Sequence, residues 1–257
     1  MKIDVNSDMG EGFGIYQLCD DAALMKVVSS ANIACGFHAG DPAIMTNMVR
    51  LAKAHGVGIG AHPGLPDRQG FGRRELPFSA EEICQQVAYQ LGALTAIARA
   101  EGTHVSHFSF HAAMGNIVNR DAALAQQVME LVARINNDLI IFAQPDTIIE
   151  VAAQAAGLKT LTLFLADRAY DARGRLVPRG IAGAVINEES ALRARVRQFL
   201  QHGTVTTIEG EEIAVRARSI LVHSDTPGSL ALATIVRSEI EASGHQVAPA
   251  AEVLQSR

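Results

Sequence analysis

The 257-residue chain predicts an α/β fold, a distorted (β/α)7 TIM-like barrel of the kind found in glycoside hydrolases and deacetylases, and three observations predict it. Six short apolar runs each end in a polar, glycine-rich cluster, and most of these clusters lead into a helix-like stretch. Parallel strands deliver such ends to one face. Within the runs, side chains of one parity are apolar and those of the other are polar or glycine. This suits a closed barrel with its own lumen better than the alternative, a doubly wound sheet covered on both faces. The length fits one domain over residues 1–257. The composition, 48% hydrophobic with 5% aromatic residues and no Trp, fits the aliphatic core of buried parallel strands.

The elements follow in order. A first strand near 2–7 carries Ile3 and Val5 on one face and Asp4, Asn6 and Asp8 on the other, then runs into Met9-Gly10-Glu11 and a helix near 20–29. The second, near 31–35, ends in Cys35-Gly36-Phe37-His38-Ala39-Gly40-Asp41, where Asp41-Pro42 puts Pro in the first turn of a helix near 42–55. The third, near 57–61, ends in Gly60-Ala61-His62-Pro63-Gly64 and a Gly/Pro/Arg-rich loop over 63–77. Ser79-Ala80-Glu81-Glu82, a capping-box arrangement, then opens a helix near 79–101. The fourth, near 104–110, sets His107, Ser109 and His111 opposite Phe108 and Phe110. Helices near 120–135 and 145–156 flank a fifth strand near 138–142, with Pro145 in the first turn of the second helix. The sixth, near 159–165, ends in Ala166-Asp167-Arg168, and residues 169–186 have room for a hairpin around Arg173-Gly174. A helix near 188–201 precedes an alternating stretch, 203–215, that reads as a small hairpin insertion around Glu209-Gly210. The seventh strand, near 218–223, ends in His223-Ser224-Asp225-Thr226-Pro227-Gly228, and Pro227 is expected in the first turn of a last helix near 227–243. The tail from 244 carries no assignable signal.

A formal net charge of −5 argues against a nucleic-acid or anionic-membrane surface and leaves a small molecule as the expected ligand. No apolar stretch approaches a membrane span and the N-terminus has no signal-peptide core, so a cytoplasmic location is expected. Cys19, Cys35 and Cys84 show no C-x-x-C spacing, which removes a disulfide framework and a structural zinc site. A homo-oligomer stands open.

Of the histidines, His55, His202 and His245 read as surface residues, His104 as structural, and His107 as a candidate hydrogen-bonded core residue. His38, His62, His111 and His223 differ because all four stand at strand ends. Asp8 with two of them would form an Asp/His/His set suited to zinc or another divalent ion, and the same residues serve equally as acid, base or hydrogen-bond donor. Neither G-x-G-x-x-G nor G-x-x-x-x-G-K-[ST] occurs, so the chain offers no recognised ATP site. Arg73, Arg74, Arg168 and Arg179 sit in loops at the open face as candidate clamps for a carboxylate or phosphate.

Asn6-Ser7-Asp8 through Gly14, the run from Ala31 to Asp41, Gly60-Ala61-His62-Pro63-Gly64 with Asp67, and Gly70-Phe71-Gly72-Arg73-Arg74 resemble the LamB/YcsF family. So do Ala166-Asp167-Arg168 with Tyr170, Leu176-Val177-Pro178-Arg179, and His223 with Asp225-Thr226-Pro227-Gly228. The resemblance runs over residues 1–243. It implies a seven-stranded barrel working with two partner subunits, and hydrolytic opening of the 5-oxoproline lactam to glutamate with ATP as co-substrate, the nucleotide bound by the partners. On that reading Asp8 or Glu11 is the general base and His38, His62 and His111 are acid/base groups or oxyanion donors. Asn6, Asn32, Asp41, Asp67, Arg73, Asn116, Asp167, Arg168, His223 and Asp225 form the expected substrate-binding set, with Arg73 and Arg168 as clamps and Asp225 orienting His223 or a neighbouring strand end.

Two departures stand out. Where the family reads Lys-Pro-His-Gly-Ala-Leu-Tyr-Asn, this chain has Ser109-Phe110-His111-Ala112-Ala113-Met114-Gly115-Asn116, and Leu163 stands where the family carries Glu. By parity both positions face the lumen, so a Lys–Glu pair removed together is the expected reading. Two other functions remain in view: a metal-dependent deacetylase or amidohydrolase acting alone, and a non-catalytic binding subunit.

Overall fold

The computed structural model describes residues 1–256. In chain order the strands are β1 (Lys2–Met9), β2 (Ser30–Ala34), β3 (Gly58–His62), β4 (His107–Phe108), β5 (Ile140–Ala143), β6 (Lys159–Leu165), β7 (Thr204–Thr206), β8 (Glu212–Ala214), β9 (Ser219–Leu221) and β10 (Gln246–Val247). The helices are α1 (Asp21–Leu24), α2 (Pro42–His55), α3 (Ala80–Ala100), α4 (Ala112–Val118), α5 (Ala122–Ile135), α6 (Ile148–Ala155), α7 (Glu189–His202), α8 (Ser229–Ala242) and α9 (Ala250–Gln255). Strands β1 to β6 lie side by side in sequence order, β9 follows β6, and β9 pairs in turn with β1 through Asp4 to Ser219 and Asn6 to Leu221. Seven parallel strands therefore close on themselves, the predicted TIM-like barrel.

Parity explains the closure. Ile3, Val5, Ile33, Ala61, Phe108, Ile141, Phe164 and Ile220 point outward into the apolar layer beneath the helices. Each of these side chains other than Ala61 contributes about 2 kcal/mol on removal from water. The lumen is divided. Strands β1 to β4 line it with Asp4, Asn6, Asp8, Asn32, His62 and His107, whereas β5, β6 and β9 line it with Ile140, Phe142, Leu161, Leu163, Leu165 and Leu221. The tail is ordered: β10 runs beside the first residues of β1, and Ala250 and Val253 of α9 join the apolar half of the lumen. A two-residue strand and a six-residue helix are too short to leave a periodic signature in the sequence.

Some helix starts move for identifiable reasons. Ser79 caps α3 as expected, with both bonds of the capping box, and Asp41 caps α2 ahead of Pro42. Helix α6 instead begins at Ile148 with Thr147 as its cap, and Pro145 lies in the preceding turn. Helix α8 begins at Ser229 after Gly228, because the Thr226 hydroxyl is committed to Asp167 at 2.6 Å and does not cap the helix. The ladder of β4 is short, but Ser109 N donates to Ala61 O and His111 N to Pro63 O, so the chain follows β3 up to the rim. Antiparallel pairing of β7 with β8 forms the expected hairpin, and bridges between Tyr170 and Leu176 and between Arg168 and Val185 tie down the 169–186 stretch. Among the described residues no helix is long and apolar enough to cross a membrane.

Candidate active site

A polar column rises through the lumen from β1. At its base Asp4 accepts from Ser29 Oγ at 2.7 Å, Ser30 Oγ at 2.6 Å and Ser219 Oγ. Burial raises its carboxyl to about 6 against the opposing pull of these hydrogen bonds. Above it Asn6 Nδ2 donates to Ser219 Oγ at 2.7 Å, and Asn32 Nδ2 donates at 2.9 Å to both Asn6 Oδ1 and Asp8 Oδ1. His107 Nε2 donates to Asn32 Oδ1 at 3.0 Å. Asn6 and Asn32 are thus fully buried supports whose bonds converge on Asp8.

Four acidic and imidazole side chains crowd the top of the column, each carried there by the end of a different strand. His38 Nε2 lies 3.2 Å from Glu11 Oε1, His111 Nδ1 lies 3.4 Å from the same oxygen, and His62 Nε2 lies 3.1 Å from His111 Nδ1 and 3.4 Å from Asp8 Oδ1. The rings of His38 and His111 stack at 3.7 Å. This density requires backbone without side chains around it. A Cβ on Gly64 would sit 2.4 Å from His38 Nδ1, and one on Gly72, at φ +63°, would sit 2.7 Å from His38 Cβ. Burial, with the charges of Asp8 and Asp225, pushes the Glu11 carboxyl well above the usual carboxylate range. Burial likewise holds the imidazoles of His38 and His111 well below their ordinary value, and it lowers His62 against the opposing effect of Asp8.

Beside this cluster a cavity of about 480 Å³ opens at the strand ends. Asp8, His62, Ser109, His111, Asn116 and His223 line one part, and Phe110, Phe142, Leu163, Leu165 and Leu221 line another. His223 is held by Asp167, whose Oδ1 lies 2.9 Å from its Nδ1. Burial alone would lower His223, but the Asp167 carboxylate outweighs it and raises the imidazole, while Asp167 itself is held low against its own burial. At the rim Arg73 and Arg179 both reach Asp225, Arg179 at 3.5 Å. Arg168 lines the cavity, with its guanidinium donating to Val177 O at 2.6 Å and Ala184 O at 3.3 Å. Asp41 and Asp67 lie outside the cavity lining. Asp41 caps α2 and accepts from Gly14 N at 2.8 Å, and Asp67 holds Arg74 and Gly70 N.

The LamB/YcsF family pattern matches residues 3–255. The chain belongs to the LamB/YcsF family. It is similar to the 5-oxoprolinase A-subunit of Pectobacterium atrosepticum, with 72% identity over 99% of both chains, and to the second 5-oxoprolinase A-subunit of Agrobacterium fabrum, with 69% identity over 98% of this chain and 99% of the other. Its backbone is similar to the crystal structure of a lactam utilization protein from Thermus thermophilus, with a TM-score of 0.91 and 39% identity, covering 96% of this chain and 99% of that one.

Several residues of this LamB/YcsF site escape a reading of the sequence. Ser224 donates to Glu11 Oε2 at 3.1 Å, and the Phe71 carbonyl receives His111 Nε2 at 2.8 Å. Gln144, Thr147 and Asn119 line the cavity. Thr226, which bonds Asp167, stands inside the Asp225-Thr226-Pro227-Gly228 motif, and Gln144 stands just past a predicted strand end; both positions are signals. No signal marks a backbone carbonyl.

Proposed function

We propose that this chain is the barrel subunit of an ATP-dependent lactam hydrolase, a 5-oxoprolinase that turns 5-oxoproline, ATP and water into glutamate, ADP and phosphate. It works with two partner subunits that bind the nucleotide. The observation that carries this reading is the 72% identity, over 99% of both chains, to a 5-oxoprolinase A-subunit. A lactam carbonyl resists water because resonance stabilises it, and phosphorylation of its oxygen in a partner subunit makes ring opening easy. The barrel then supplies position and charge. Asp8, steadied by Asn32 at 2.9 Å, takes the proton of the attacking water. His223, whose imidazole Asp167 holds above its ordinary value, lines the cavity and gives its proton to the ring nitrogen as the C–N bond breaks, and a second water then releases phosphate from the resulting acyl phosphate. Arg73 and Arg179, drawn together by Asp225, hold the substrate carboxylate at the rim. The apolar wall of Phe142, Leu163 and Leu221 packs against the ring.

The test is reconstitution. Lactam opening and phosphate release should require this chain, both partner subunits and ATP together, while calorimetric titration of the isolated chain with ATP should be flat. Phosphate release by the partners at an unchanged rate and with full ring opening in the absence of this chain would remove it from the reaction.

A further inference from the structure

Two of the buried imidazoles face each other with the wrong atoms for a hydrogen bond. His62 Nδ1 lies 2.8 Å from the Ser109 carbonyl, and His111 Nε2 lies 2.8 Å from the Phe71 carbonyl. A carbonyl carries no proton, so each of these nitrogens must be the N–H donor. In the neutral rings His62 Nε2 and His111 Nδ1 are then both lone pairs, and they stand 3.1 Å apart with no proton of their own to share. Glu11 Oε1 adds a third acceptor 3.4 Å from His111 Nδ1, and His38 Nε2 converges on that same oxygen at 3.2 Å. All four atoms lie within 4.8 Å of one another and their side chains are buried. The facing His62 and His111 lone pairs, with the Glu11 oxygen beside them, call for a positive centre between them, and His38, stacked parallel to His111 at 3.7 Å, joins it by a tilt of its ring.

We infer that Glu11, His38, His62 and His111 hold a divalent first-row metal ion, zinc by donor type. The spacing suits it: four donors at tetrahedral zinc distances are about 3.4 Å apart, and the three closest contacts within this cluster are 3.1, 3.2 and 3.4 Å. So does the outer shell. A ligating imidazole gives its other N–H to a carbonyl or carboxylate, which fixes the tautomer and aims the lone pair, and the Ser109 and Phe71 carbonyls do this for two rings from opposite sides. The rivals are a proton shared between His62 and His111 and a proton carried by Glu11 toward His111 Nδ1, and stoichiometric metal uptake separates the ion from both. Asp8, 3.4 Å from His62 Nε2, stands next to the ion and outside the four-donor set. When bound there, the ion would act as a Lewis acid beside the cavity. The inference does not depend on the lactam reading.

The test reads metal, not turnover. The folded chain is stripped with a strong chelator, Zn²⁺ is titrated in by calorimetry, and Co²⁺ absorption reports the coordination number. One ion per chain with a Kd below about 1 µM is expected, together with a four- or five-coordinate cobalt spectrum. His62→Ala and His111→Ala should each weaken binding by at least the roughly hundredfold that loss of even an outer-shell partner can cost, while His55→Ala on the exposed end of α2 should not. Glu11→Gln, nearly isosteric, provides the same comparison if a histidine variant fails to fold. A stripped, folded wild type that takes up no stoichiometric zinc overturns the inference, as does binding that persists undiminished in the folded ligand variants.

Discussion

Restoring the charge pair that the LamB/YcsF resemblance places at positions 109 and 163 is the sharpest test of how this lumen is built. Ser109 and Leu163 are 5% and 6% exposed and line the same cavity. The register places Phe108 beside Ile141 and Ile141 beside Thr160, so Ser109 is level with Phe142 and Leu161, and Leu163 stands one side-chain layer higher. Two strand spacings across and one layer up separate the two Cα atoms by about 12 Å, and an extended lysine facing an extended glutamate bridges that. Ser109→Lys alone leaves an ammonium against a leucine and is expected to cost about 3 kcal/mol, with a similar cost for Leu163→Glu alone. A contact near 4 Å gains about 4 kcal/mol at an effective dielectric of 20, and water admitted by the open cavity reduces this to about 2 kcal/mol. Urea unfolding of the wild type, both single variants and the double variant reads that coupling directly. The cost of Leu163→Glu alone should also shrink at acid pH as the lone carboxylate protonates. Additivity to within about 0.5 kcal/mol would mean that the two positions do not face each other, and the shared-lumen argument would fail at β4 and β6.

Three further outcomes are expected. Asp8→Asn keeps the hydrogen bond from Asn32 in shape but removes the base, so turnover in the reconstituted complex should fall at least about a hundredfold with little change in Tm; near wild-type turnover would take Asp8 out of the mechanism. Ala112 opens α4 at φ +36°, where the family motif has glycine, so Ala112→Gly should stabilise the chain by about 1 kcal/mol in urea unfolding, and a loss of stability would show that this backbone is unstrained. Burial raises the Asp4 carboxyl to about 6 from 3.8, so its contribution to stability is fully present below about pH 3.8 and is lost as pH rises through about 6, an upper bound of about 3 kcal/mol. The wild type should therefore lose stability relative to Asp4→Asn between about pH 4 and pH 7, and parallel pH profiles would contradict this.

The fold was legible because a strand's two faces are written in its residue parity. Asp4, Asn6 and Asp8 alternate with Ile3 and Val5, and the structure puts the first set in the lumen and the second beneath the helices. What parity does not carry is the apolar half of the lumen. On β5 both faces are greasy, so Phe142 looks alike whether it points inward or outward, and only closure of the barrel assigns it. The α4 turn was also hidden, since Ala112-Ala113-Met114-Gly115 reads as one more polar-cluster loop until His111 is seen to end an extended strand.

The site was harder because its chemistry depends on depth in the barrel, which the shear between strands sets and no single strand reveals. His62 and His107 are both lumen-facing histidines near strand ends, yet register separates them. Asp8 pairs with Asn32, Asn32 with Gly60 and Gly60 with His107, so His107 belongs to the row that supports Asp8, whereas His62 pairs with Ala34 one layer above. Gly60 is what allows that row to close: a Cβ there would lie 2.1 Å from His107 Nε2, so the imidazole that steadies Asn32 occupies the space of the missing side chain. A glycine that reads in the sequence as part of a turn is therefore the residue that lets His107 reach Asn32, Asn32 hold Asp8, and Asp8 meet His62 at the floor of the cavity.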